Sequence, residues 1–452
     1  MVELSCAALG LAVVSCIGRV VLSWLPPGEV GSHRTRDLAT TWAASYLLGA
    51  SFLAVGASVS ALARAPVSCA WIAGAALFLG LARWLTLPAA LVPRHEVLRE
   101  LPNGVARALL WIAVAIGIWA ALGATINAGS GLWSVRAQAW LSQGWLIGFD
   151  GPATARGALE LAPLDCSAIA CVSWPGGIVN EVSARAHLLA CFLSALLLIE
   201  RAMELTRRAP LGRRLLLVLF AAALSVAFRA DDGDLALAGL CALALLGLVS
   251  WTRRADARGL ALACIAFGSL SLVRPGGWVL AIAGLVATLG SSARPSLVRA
   301  ASWVFAIAIV LPSLWLLAAW TRHVPLLGPD GLSPLASSWV DTSDRTQLAL
   351  CIAPIWVLLG AALGPAALRL ARYPREAFED LPPCDPDRTR RDLAALLLFG
   401  ALLGLFTLSV VCIHDEPSLL VAKTWAPGLL IQAAPWALLL AARALVRAER
   451  AK

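Results

Sequence analysis

Runs of apolar residues about twenty long, each bounded by arginine or by Pro/Gly, recur from one end of this chain to the other. A hydrocarbon core of about 30 Å takes roughly twenty helical residues to cross. The pattern therefore predicts spans near Leu4–Leu25, Thr41–Ala63, Ser68–Val92, Val105–Asn127, Arg185–Leu205, Arg214–Phe228, Asp234–Trp251, Gly259–Val273, Gly277–Gly290, Arg299–Trp320, Gln347–Arg369, Asp392–Cys412 and Trp425–Ala442. The first run lacks a basic start and a small-residue cleavage site and is followed by Pro26-Pro27, so it is expected to be a span and not a signal peptide. The fold class expected is all-α, a polytopic bundle of about 13 spans.

Composition agrees with the pattern. Hydrophobic residues make up 60% of the 452 and charged ones 14%, and the mean hydropathy is +0.80, beyond what a soluble fold of this size could bury. The basic residues fix an orientation, because Lys and Arg are retained on the cytoplasmic side. With basic residues at span ends counted in the loop they abut, alternate loops and the C-terminal tail carry 25 of the 36, the opposite loops 9, and only Arg19 and Arg83 remain inside spans. The N-terminus is thus expected outside and the C-terminus in the cytoplasm. The net charge of +9 is a product of topology and gives no reason to expect a nucleic-acid partner. Only Lys423 and Lys452 are lysines, which with the abundance of Ala and Leu suggests a high-GC bacterial genome and a bacterial inner (cytoplasmic) membrane.

Cysteine usage adds little chemistry. Cys6, Cys16, Cys191, Cys241, Cys264 and Cys351 fall inside spans, where a lone thiol serves as a small apolar filler. Cys166 and Cys171 share an external loop and are either a disulfide or two free thiols, the latter preferred over so short a loop. No spacing of ligands calls for a metal, and Walker A, dinucleotide-binding and H-E-x-x-H patterns are absent, so no cofactor is expected.

Polar chemistry concentrates in three external segments, Ala128–Ala184, Thr321–Thr346 and His414–Thr424. A loop as long as the first is functional or disordered, and its tryptophans and leucines argue against disorder. Residues Leu132–Leu146 place Trp133, Val135, Ala139, Trp140 and Leu146 around an amphipathic helix that would lie in the membrane interface, whether as part of a site or as a packing lid. A second signal is Arg229-Ala-Asp231-Asp232-Gly-Asp234, where three carboxylates need a cation, a proton or an arginine to coexist. Asp234 alone would also serve as a helix cap.

The order of these parts resembles the GT-C superfamily of integral-membrane glycosyltransferases, in particular bacterial relatives of the dolichyl-phosphate-mannose protein mannosyltransferases. Trp133-Ser-Val-Arg136-Ala137 is similar to the family's W-x-x-K-A element and Asp232-Gly-Asp234-Leu-Ala-Leu-Ala238 to its Y-A-D-L-P-L-A element. Arg274-Pro-Gly-Gly277 is similar to its K-N-E-G turn, and Pro417–Gln432 to a C-terminal segment of such enzymes. The resemblance divides the chain into a three-span extension over 1–104, a GT-C-like module over 105–442 with the long loop at 128–184, and a cytoplasmic tail over 443–452.

What the resemblance implies is transfer of a sugar from a polyprenyl-phosphate donor at the external face. The leaving phosphate needs cationic partners and the acceptor hydroxyl needs a carboxylate base. Asp165, Asp232 and Asp234 are the catalytic candidates, and Arg136, Arg229, Arg274 and Glu160 the substrate-binding ones. Each arginine could instead snorkel to lipid headgroups. Departures from the family pattern are specific. Ala128 stands where an acidic residue precedes the first tryptophan, Gly276 replaces the acid of the K-N-E-G turn, and Ala162-Pro-Leu-Asp165-Cys166 keeps only the proline and a displaced aspartate of an H-P-D-Y-P element. A catalytically silent GT-C-like protein, binding a lipid-linked substrate or a partner, is the alternative. A transporter is a further one, though no repeat or intramembrane charge pathway marks it.

Overall fold

The computed structural model describes residues 2–26, 38–63, 65–86, 104–123, 136–142, 163–206, 210–225, 228, 234–254, 256–273 and 310–321. Among these the secondary structure is helical and contains no strand. The helices are α1 (Val2–Trp24), α2 (Leu38–Ala63), α3 (Cys69–Thr86), α4 (Gly104–Gly123), α5 (136–142), α6 (Leu164–Ser173), α7 (Glu181–Thr206), α8 (Pro210–Ser225), α9 (Asp234–Arg254), α10 (Ala257–Leu270) and α11 (Val310–Thr321). The helices α1–α4 and α7–α10 fall on the first eight expected spans. The last three expected spans and the one at Gly277–Gly290 lie outside the described residues.

Three helices, Val2–Trp24, Leu38–Ala63 and the Glu181–Glu204 part of α7, are long and apolar enough to cross a membrane. Shorter apolar helices run over Cys69–Arg83, Arg107–Gly123, Leu235–Trp251 and Ala257–Leu270. Trp71, Phe78, Trp111 and Trp119 are each at least 70% exposed on the bundle's outside. So much aromatic surface is tolerable where lipid tails meet it. The described residues are thus those of a helical membrane protein.

Local sequence explains where the helices begin and how closely they pack. Asn180 caps α7, its Oδ1 accepting the Ser183 amide at 2.8 Å, and Glu181 in the first turn pairs with Arg185 one turn on. Asp256 caps α10 in the same way, accepting from the Arg258 amide at 3.0 Å and from the Ser250 hydroxyl at 2.9 Å. Along α2 the small residues Ala, Ser and Gly dominate the buried positions, and Ser51 and Ser58 return their hydroxyls to carbonyls one turn back. Gly18 and Gly49 let α1 and α2 touch backbone to backbone. A methyl group built on Gly18 would sit 1.6 Å from the Ser45 carbonyl oxygen, and one on Gly49 would sit 2.0 Å from that of Val14.

The long loop between α4 and α7 does not lie wholly outside this bundle. All ten residues of α6 are buried, packed against α1, α2 and α7. Gly10 of α1 approaches α6 so closely that a β-carbon would lie 2.2 Å from the Val172 carbonyl oxygen. At its other end the Leu164 amide donates to the Leu272 carbonyl, 3.0 Å away and just past α10. The chain leaves α6 through a short 3-10 turn, Trp174–Gly176, and reverses at Gly177, whose φ of 71° is a left-handed value that glycine adopts without strain.

Candidate functional site

Asp165 is the second residue of α6, where unsatisfied amides at the helix start favour a negative charge. Its side chain is only 4% exposed. One carboxylate oxygen, Oδ1, lies 2.8 Å from Nε2 of His187, and the other ring nitrogen, Nδ1, lies 2.6 Å from the hydroxyl of Tyr46. His187 sits six residues into α7 and Tyr46 eight residues into α2, and both are fully buried. Three helices far apart in sequence thus meet at one buried hydrogen-bonded chain.

One assignment of protons satisfies every member of that chain. The Tyr46 hydroxyl donates to Nδ1, and the Nε2–H of a neutral imidazole donates to the Asp165 carboxylate. Trp42 stacks on Tyr46 with ring centroids 5.9 Å apart and holds the phenol in place. Cys191, one turn along α7, touches the imidazole edge with its sulfur 3.8 Å from Nε2. Asp165 Oδ2 is buried and has no hydrogen-bond partner among the described residues. An acceptor left so is costly unless something else takes the bond.

Arg136 opens α5 and is 5% exposed. Its guanidinium hydrogen-bonds the thiol of Cys166, the residue next to Asp165. Burial pushes the Cys166 thiol up to about 12, outweighing the opposite pull of Arg136, so it stays protonated. The placement of Arg136 is secured from both sides of α5. Trp140 donates its indole N–H to the Val67 carbonyl at 2.9 Å, and Gln138 accepts the Val179 amide at 2.7 Å. The segment expected to form an amphipathic helix is helical over 136–142, with Arg136, Ala137, Ala139 and Trp140 turned inward.

Of the residues marked out by sequence, Arg136 and Asp165 are therefore brought together, 29 positions apart in the chain. Asp234 begins α9, as a span-opening residue should. Arg229, Asp232, Arg274 and Glu160, with Ala128 and Gly276, lie outside the described residues. Cys166 and Cys171 are both free and buried. Five residues apart on one helix, they project in directions about 140° apart and face different neighbours. Cys171 instead hydrogen-bonds Cys69, which together with burial raises its thiol well above the usual range. Among the described residues no group of three or more His, Cys, Asp and Glu could hold a metal ion.

His187 and Tyr46 belong to this buried chain and were missed by sequence reasoning. The available signal was a single histidine in an apolar run, a polar group no topological rule requires. Compared with protein-family models, with curated proteins and with solved structures, the chain matches none of them.

Proposed function

We propose that this chain is an integral-membrane glycosyltransferase of GT-C type, using a polyprenyl-phosphate-linked sugar at the external face of a bacterial inner membrane. In this reading the acceptor hydroxyl oxygen attacks the anomeric carbon and its proton passes to Asp165. The bond from that carbon to the phosphate oxygen breaks, and the polyprenyl phosphate leaves as an anion facing Arg136. The remaining candidates, Asp232, Asp234, Arg229, Arg274 and Glu160, would line the rest of the donor site. The full bundle would have 13 spans, with the long loop closing over the site.

One observation supports it above the others: a cation and a carboxylate from two separate elements of the long loop share the surroundings of Cys166, and the carboxylate keeps one oxygen without a partner among the described residues. Buried opposite charges are expensive to maintain, so their retention side by side favours a chemical use. The same burial favours a second reading. With Asp165 and Arg136 only 4% and 5% exposed, the site is closed in this conformation, as a catalytically silent relative that binds a lipid-linked substrate or a partner would keep it. Turnover requires α5 or α6 to move aside.

The test is sugar transfer in membranes holding the full chain, with a panel of labelled lipid-linked donors. Asp165→Asn, which cannot take the proton, is expected to lower kcat by about 10²- to 10⁴-fold. Arg136→Ala is expected to lower kcat/KM through loss of the charge facing the phosphate. Wild-type turnover in both variants refutes the assignment of the site, and no turnover by the wild type on any donor favours the silent reading.

A further inference from the structure

We infer that Tyr46, on the N-terminal three-span extension, is a positioning residue of the Asp165 site and acts through His187. The inference rests on the glycosyltransferase reading above and deepens it. A carboxylate that must accept a proton has to be charged, fixed in rotation and open at one oxygen. The hydrogen bond from His187 Nε2 to Oδ1, at 2.8 Å, meets the first two needs and leaves Oδ2 for the third. It can be made only by a ring that carries a proton on Nε2.

Tyr46 selects the neutral Nε2–H tautomer. Its hydroxyl stands 2.6 Å from Nδ1, and among the described residues no other hydrogen bond engages it, so a protonated Nδ1 would leave the phenol hydrogen without an acceptor in a fully buried place. The phenol cannot drift, because Trp42 stacks against it and the Ala, Ser and Gly positions of α2 pack backbone-close to α1. Groups facing the imidazole are accounted for on each element: Tyr46 from α2, Asp165 from α6, and Cys191 from α7 itself at 3.8 Å. Among the described residues no cation faces the ring, and the phenol's need for an acceptor at Nδ1 holds the ring neutral against the pull of the carboxylate toward a second proton. The extension over 1–104 is by this geometry part of the site and not an appendage to it.

The experiment uses the full chain in lipid nanodiscs. First, imidazole nitrogens labelled with ¹⁵N are read by NMR, with His187→Gln identifying the resonance. The wild type is expected to show a single neutral Nε2–H tautomer, and Tyr46→Phe, which keeps the ring and removes the hydroxyl, a mixture of tautomers. Second, in the transfer assay Tyr46→Phe is expected to lower kcat roughly tenfold to a hundredfold with KM for the donor unchanged. His187→Gln, which retains an N–H near the position of Nε2, is expected to keep more activity than His187→Ala.

The outcomes separate the two proposals. If Asp165→Asn abolishes transfer while Tyr46→Phe turns over like the wild type, the positioning role of Tyr46 is overturned and the glycosyltransferase reading stands. If Asp165→Asn transfers sugar normally, or the wild type transfers none, the function is overturned and the positioning role goes with it, even where the tautomer signal persists. A single tautomer that survives Tyr46→Phe overturns the selection by Tyr46 whatever the activity.

Discussion

Replacing Gly10 by alanine adds one methyl group at the point where α1 meets the backbone of α6. The added carbon would stand 2.2 Å from the Val172 carbonyl oxygen, 2.5 Å from its Cα and 2.6 Å from its carbonyl carbon. Ordinary contact begins near 3.4 Å, so the helices must separate by about 1 Å. These are backbone atoms that no side-chain rotation can withdraw. A gap of that size forfeits a quarter to a half of the dispersion energy along the contact, and α6 is buried along its whole length. Overpacking of this kind costs about 1–3 kcal/mol, and rigid backbone contact places Gly10→Ala near the top of that range. Because Asp165 rides on α6, the same shift stretches its 2.8 Å bond to His187, and transfer activity is expected to fall along with stability. Gly74→Ala is the matched control: its added methyl meets nothing within 4 Å, so only helix propensity changes, stabilising by up to about 1 kcal/mol. Denaturation in detergent, followed for both variants and the wild type, should move the midpoint down for Gly10→Ala and level or up for Gly74→Ala. A Gly10→Ala protein as stable as Gly74→Ala would refute the close approach of α1 and α6.

Two further expectations follow from burial and from charge, besides those for Asp165, Arg136 and Tyr46 given above. Cys166, held protonated at a value of about 12 and shielded from solvent, should resist a soluble maleimide at pH 8 in the native protein and react once the chain is denatured, as mass spectrometry of tryptic peptides would show. The partition of basic residues, 25 against 9, puts Gly331 and Lys452 on opposite sides of the membrane, so reporter fusions at the two positions should give opposite signals, and equal signals would sink the topology.

Much of the described architecture was legible because it follows from hydrophobicity and punctuation. α2 was expected over Thr41–Ala63 and runs Leu38–Ala63, and α7 was expected over Arg185–Leu205 and runs Glu181–Thr206. The early start of α7 reflects Asn180, a cap that the search for an apolar run passed over. Asp165 and Arg136 were legible as chemistry, through a loose family resemblance, yet nothing in their spacing placed them on one thiol. That contact depends on α6 turning into the bundle, and ten residues of mean polarity carry no signal of which way a short helix turns. His187 and Tyr46 were illegible for a different reason. Each is a lone polar residue in an apolar run, and their partners lie 22 and 141 positions away, so only the packing of α2 against α7 creates the pair. The charged residues counted inside spans were Arg19 and Arg83, and a histidine that is neutral by ordinary reckoning escaped that count.

The burial of α6 also has a bearing on how the chain is made. Ten residues give a helix of about 15 Å, half the width of the hydrocarbon core, too short for the insertion machinery to retain as a span when it emerges. Its seat is formed by α1 and α2, made earlier, by α7, made just after, and by the carbonyl of Leu272, synthesised some hundred residues later. The segment carrying Asp165 therefore finds its helical seat complete only once α7 has been made, and gains its last backbone bond when Leu272 arrives. A ribosome that stops before α7 leaves a chain whose Asp165 carboxylate lacks the His187 it is paired with in the finished protein.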